Sequence, residues 1–318
     1  MRIPILLTAF LFILARTASA QAAPPDTVRT GVYITSIHDI DFKQKEYAMN
    51  LWLWLRYKNR KFDFLQNLEI PQAKTVEKSF STIDTSNGGV YVLMKLQCLM
   101  KDSWKIGNFP FDRQTLRLSI ENSQFDSSEL VFAADTVGAH YDSRFALRGW
   151  NIDSCVLATG NKVYETGFGD TSIHDARSTY STFRVRMVVR REAGGLFWKM
   201  FLGMYIAFFI AFVCFFIHSD SIDSRFGLSV GALFAVIGNK YIIDSALPES
   251  SSFTLVDALH GLTLFMILAI VSATIHSLTL AKKDKLQAAR SFDFRAALAV
   301  GISYLLLNAY FILSAWEG

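Results

Sequence analysis

The chain has 318 residues, 51% of them hydrophobic, and a formal net charge of +4. So small a positive excess gives no case for nucleic acid as a partner. The apolar content is concentrated in the last third, which argues against a wholly soluble enzyme. No phosphate-cradling glycine loop, HExxH, paired CxxC or Gly-x-Ser-x-Gly occurs, and the six histidines are scattered, so neither an enzyme, a metal site nor a cofactor is expected.

In chain order, residues 1–20 come first: Arg2, an apolar centre from Ile5 to Leu14, and Ala18-Ser19-Ala20. This pattern reads as a secretory signal peptide cut after Ala20, so the mature N-terminus lies outside the cytoplasm. Residues 21–192 read as strands. Leu116, Leu118 and Ile120 alternate with polar neighbours, as do Phe183, Val185 and Met187, the period of two of half-buried strands. Leu51-Trp52-Leu53-Trp54-Leu55 is apolar on both faces, as in a strand covered on both sides. Turn signals separate the runs, as in Ser86-Asn87-Gly88-Gly89. Many short strands imply an all-β, immunoglobulin-like sandwich. A Cys98–Cys155 disulfide and two free thiols are both open.

Residues 193–318 carry four apolar segments, about 196–217, 226–246, 255–280 and 296–315. Each approaches the roughly 20 residues needed to cross a bilayer as a helix. With the sandwich outside, the loop after the third span lies inside, and it carries Lys282, Lys283, Lys285 and Arg290. The outer loop between the second and third spans has Glu249 and no Lys or Arg, in keeping with the positive-inside rule.

Between two strands lies Phe109-Pro110-Phe111-Asp112-Arg113-Gln114, whose proline fixes a turn and whose phenylalanines offer docking surface. The sandwich, this FPFDRQ loop and four following spans together resemble the pentameric ligand-gated ion channels, of the prokaryotic type. Asp102 and Leu116 stand where animal receptors carry the bridging cysteines. Val32-Tyr33-Ile34, Asp39-Ile40-Asp41 and Gln44 before the Trp-rich strand also fit.

The resemblance implies a homopentamer in a bacterial inner (plasma) membrane, with the N-terminal domain and the C-terminus extracytoplasmic. Its second span would line the pore with Gly227, Gly231, Phe234, Gly238, Tyr241 and Ser245, a single helical stripe. Rings of Phe234 and Tyr241 can gate by dewetting; Gly227-x-x-x-Gly231 alternatively serves close helix packing. Asp220, Asp223, Asp244 and Glu249 at the mouths favour cations, with Arg225 opposing. Lys240 is read as reaching to the interface.

The resemblance further implies coupling of the two domains through Phe109, Pro110, Phe111 and Asp112, through Arg191 (with Arg190 as a second partner for Asp112), and through Leu247-Pro248. The agonist site would draw on Glu121, Phe125, Tyr164 and Tyr180, with His174 near its rim. Trp54 or Trp52 would come from the neighbouring subunit. That composition suits a small amine by cation–π contact; protons are a second agonist class, and membrane lipids and permeant ions complete the partners. Two competing readings are a pentameric sensor of this fold that conducts poorly and signals through a partner, and a monomeric membrane-anchored binding domain.

Overall fold

The computed structural model describes residues 24–86, 88–145, 147–169 and 177–317. Residues 1–20, read above as a signal peptide, and His174 lie outside them. Nine strands precede four long helices: β1 (Asp26–Asp41), β2 (Glu46–Tyr57), β3 (Leu68–Glu69), β4 (Ala73–Asp84), β5 (Val90–Lys101), β6 (Arg113–Asn122), β7 (Leu130–Ala134), β8 (Trp150–Tyr164) and β9 (Ser178–Arg191). They form two packed sheets of order β4-β5-β2-β1-β7 and β3-β6-β9-β8. All neighbours are antiparallel except β1 and β7.

The core is made by alternation. Leu51, Leu53 and Leu55 of β2 point inward beside Val92, Met94 and Leu96 of β5. Leu116, Leu118 and Ile120 of β6 and Phe183, Val185, Met187 and Val189 of β9 meet them from the other sheet. Trp52 and Trp54 stand on the opposite face of β2, half-buried. Gly31 is required there, because a Cβ would fall 2.4 Å from the Trp54 ring. Cys98 and Cys155 are free, on strands of different sheets, and burial pushes the Cys98 thiol up to about 12.

The helices are α1 (Ala193–Phe212, continued by a 3-10 turn Val213–Phe216), α2 (Ile222–Ala246), α3 (Leu255–Ala281) and α4 (Leu286–Glu317). All four are long and apolar enough to cross a membrane. α3 starts on a capping box: the Thr254 hydroxyl accepts from the Asp257 N–H, and the Asp257 carboxylate accepts from the Thr254 N–H. α4 begins ten residues before the apolar segment at 296 and leaves only 282–285 between α3 and α4. Its first turns carry Arg290, Asp293 and Arg295, so hydropathy hides them although the helix is continuous.

The two halves interlock. Ile106 and Phe109 are buried in the helix cluster, not in the sandwich core. Phe111 packs on Phe197 of α1 and Trp316 of α4, at 5.5 and 5.3 Å between ring centroids. The carbonyl of Gly107 accepts from the first N–H of α3, at Leu255 (2.8 Å), so the loop from β5 to β6 caps that helix.

Candidate functional sites

Three places gather the residues named from the sequence. The first lies at the end of the sandwich formed by β6, β8 and β9. Glu121 is 2% exposed, and its carboxylate accepts from the Tyr164 hydroxyl at 2.7 Å. The Tyr164, Tyr180 and Phe168 rings meet edge to face, with centroids 5.4 to 6.2 Å apart. Together with Glu69 and Ser123 they line an open cavity of about 360 Å³. Burial, and the Glu121 carboxylate, raise the Tyr164 hydroxyl above its ordinary pKa.

Lys162 completes this box from within the chain. Its ammonium stands 4.4 Å from the Tyr164 ring centroid and 3.8 Å from Glu121 Oε1, and that oxygen has no hydrogen-bond partner. Glu121, Tyr164 and Tyr180 are thus brought together, but Phe125 is not. It packs on Phe62 (4.8 Å) against the sandwich core, because the backbone N–H groups of Gln124 and Phe125 turn onto the Asn122 side chain. Trp54 stands on the five-stranded sheet and donates to Asp135 at 3.0 Å. Phe168 and Glu69 were missed. Gly167-Phe168-Gly169 reads as a turn, and its one signal was an aromatic at the tip, where φ is +52°.

The second place joins sandwich to helices. Asp112 and Arg191 form a two-pronged ion pair, 2.7 and 3.2 Å, and are 2% and 12% exposed. Gln114 donates to the same carboxylate. The Arg191 guanidinium lies over Trp150, Phe42 and Phe109, at 4.0, 4.6 and 4.9 Å from their centroids. Arg190 has a different partner, Asp153 at 3.4 Å, since alternation along β9 points it to the opposite face. A cavity of about 480 Å³ beside Arg191 is lined by Asp39, Asp41, Phe42, Phe109, Met200 and Leu247. Pro248 is buried next to it.

The third place is α2. Its buried residues are Arg225, Ser229, Ala232, Val236 and Ile243. Gly227, Gly231, Phe234, Gly238, Tyr241 and Ser245 are all exposed. A Cβ added at any of the three glycines would meet nothing within 4 Å. Close packing inside the chain therefore does not account for them.

Two of the charged residues named for selectivity are occupied elsewhere. Arg225 is 1% exposed; its Nη2 pairs with Asp293 of α4 at 2.7 Å and its Nε donates to the Ile217 carbonyl. It faces its own bundle because Asp293 also gathers Ser219 (3.2 Å) and Ser277 (2.8 Å), so one carboxylate ties α2, α3 and α4 to the turn that precedes α2. Asp244 pairs with Lys240 at 2.6 Å, and Lys240 also reaches Asp257 at 2.9 Å. Lys240 therefore bridges α2 to α3. Asp223 is exposed in the first turn of α2. Asn239 and His260 add a polar junction: His260 Nε2 lies 2.9 Å from the Asn239 side-chain oxygen, and Asn239 donates to the Met200 carbonyl.

A β-sandwich docked through such a loop and an Arg–Asp hub onto four membrane-length helices is the architecture of the pentameric ligand-gated ion channels. The chain is 23% identical over 308 residues to a proton-gated ion channel of Gloeobacter violaceus, covering 90% of this chain and 82% of the relative. The similarity therefore spans both halves, and the resemblance holds in fold and in sequence. No family model matches the chain.

Proposed function

We propose that this chain is one subunit of a homopentameric ligand-gated ion channel whose pore is lined by α2. The observation that carries the reading is the stripe Gly227, Gly231, Phe234, Gly238, Tyr241 and Ser245, exposed along a membrane-length helix. Lipid does not explain three glycines that touch nothing in the chain, since each costs about 1 kcal/mol against alanine. Copies arranged around an axis give the stripe a water-filled space, narrowed at Phe234 and Tyr241. The similarity to a proton-gated ion channel over most of both chains supports it. The chain would act as a channel, not an enzyme, in the plasma membrane of a bacterium, with sandwich and C-terminus outside.

Cation selectivity is the favoured sense. With Arg225 and Asp244 committed to internal pairs, Asp223 is left as the charge on the exposed side of the inner end of α2. Two agonist classes fit the sandwich. Protons would act on buried carboxylates: Asp102 and Glu121 each keep a buried oxygen without a partner, and burial raises the Asp102 carboxyl pKa. A small amine would enter the Glu121, Tyr164, Phe168 and Tyr180 box by displacing Lys162. Either opens the pore only by binding the open form better than the closed one. Coupling would run through Asp112–Arg191, Phe109–Phe111 and Leu247-Pro248.

Planar-bilayer recording of the purified full chain under asymmetric KCl, with pH steps and added small amines, tests this. Current with a cation-directed reversal potential is expected. Silence from protein shown to be pentameric would overturn the channel and favour a sensor that signals through a partner. The absence of serine and threonine on the stripe below Ser245 speaks for that second reading.

A further inference from the structure

A third amphipathic cavity, of about 310 Å³, lies far from the sandwich, between the end of α1 and the first turns of α4. Its apolar side includes Phe216 and Phe294, whose rings are largely exposed on the outside of the bundle. Its polar side includes His218, Arg290 and Asp293. Two features there are not explained by the fold.

The first is a missing donor. Asp293 Oδ2 accepts from Arg225, Ser219 and Ser277, yet Oδ1 of the same buried carboxylate has no partner, and neither does the buried Nη1 of Arg225 beside it. A buried charged acceptor left unmade is costly, so a donor entering this cavity would be favoured. The second is a surplus one. Arg290 gives one Nη2 contact, 3.2 Å to His218 Nε2, while His218 Nδ1 lies 2.5 Å from Asp220 Oδ1. Arg290 is exposed and forms no ion pair among the described residues, which leaves guanidinium donors for a phosphate.

The formal charges of the acidic and guanidinium groups around the cavity balance, Arg225 and Arg290 against Asp220 and Asp293, with the His218 ring standing between Arg290 and Asp220. An anionic head finds no net attraction, but a zwitterion finds both poles. We infer that this cavity binds the head of a phospholipid carrying a phosphate and a primary ammonium, the phosphate on Arg290 and the ammonium at Asp293. Its chains would run along the exposed rings of Phe216 and Phe294. A quaternary trimethylammonium has no N–H and leaves Asp293 Oδ1 unsatisfied.

The test is native mass spectrometry of the purified full chain in detergent. It is challenged with dioleoyl phosphatidylethanolamine, its mono- and dimethylated forms, phosphatidylcholine and phosphatidylglycerol. Retention should hold through the mono- and dimethylated forms, which keep an N–H, and fall at phosphatidylcholine by about ten-fold or more for one lost charged hydrogen bond. Arg290→Gln, an exposed change, should lower the phosphatidylethanolamine signal to the phosphatidylcholine level. Equal retention of phosphatidylethanolamine and phosphatidylcholine overturns the inference. So does preferential retention of phosphatidylglycerol that is lost with Lys282, Lys283 and Lys285 changed to Gln, which would mark a basic loop attracting anionic lipid. If Arg290→Gln fails to fold, the methylation series on the unaltered chain decides alone. The readout is bound lipid, so it stands or falls independently of whether the protein conducts.

Discussion

Two sites in this molecule use the same chemistry to opposite ends. At the domain junction a cation, three aromatic faces and a carboxylate close on one another: Arg191, with Trp150, Phe42, Phe109 and Asp112. At the other end of the sandwich, Tyr164, Phe168 and Tyr180 surround Glu121, and the cation there is Lys162, which is partly exposed and 3.8 Å from its carboxylate. Arg191 is planar, always charged and held by a two-pronged pair, so that site is a permanent joint. Lys162 is a point charge on a flexible stem, so it can be exchanged for another cation. Rigidity at one end and exchange at the other are what the proposed ligand-driven coupling between domains would require.

Breaking the joint should have the largest effect. Asp112→Ala leaves Arg191 charged and unpaired in a buried place, a loss of about 3–5 kcal/mol, measured by chemical denaturation of the solubilised protein. Asp112→Ala and Arg191→Ala should be strongly non-additive in a double-mutant cycle; additive losses would show that the two residues act separately. Next is Glu121→Gln, which removes the anion from the box. Amine-evoked current should fall about ten-fold in apparent affinity, the weight of one charge-assisted hydrogen bond. An unchanged dose–response curve would remove Glu121 from the agonist site.

Lys162→Met sharpens the comparison from the other side. Removing the internal competitor should tighten amine binding by about two- to five-fold, the worth of an exposed cation–π contact, read by titration calorimetry. Weaker binding would mean that Lys162 assists the ligand instead of competing with it.

The smallest effect concerns Asp102. Burial raises its carboxyl above the ordinary value, so the folded protein holds that proton more tightly than the unfolded chain. Its contribution is full below the unfolded pKa and lost as pH rises through the folded one. Asp102→Asn, a mimic of the protonated form, should therefore stabilise the sandwich slightly at neutral pH and not at acid pH. Thermal melts at the two pH values check this, and a gain of equal size at both would refute the burial argument.

Much of the architecture was legible in the sequence because it follows from period and length. The alternation at 116–121 and 183–188 requires one buried strand face, and four apolar stretches of about 20 residues require membrane helices. The resemblance carried by the FPFDRQ loop pointed to Asp112 with Arg191 or Arg190; the structure chose Arg191, because alternation along β9 turns Arg190 to Asp153 on the opposite face. Glu121, Tyr164 and Tyr180 were nameable only through the resemblance, by position after the FPFDRQ strand and on either side of the segment that would cap the site. Phe125 could not be separated from them, since its direction depends on a local turn onto Asn122.

What only the tertiary structure decided is which charges are free. Arg225, Asp244 and Lys240 look alike in sequence, each an ionisable residue near the end of an apolar helix. Arg225 meets Asp293, 68 residues away in the chain, and Lys240 meets Asp257 across α2 and α3. A charge in low dielectric goes wherever an opposite charge and a donor can meet it. That partner is set by helix packing, on which the hydrophobic pattern of either helix alone is silent.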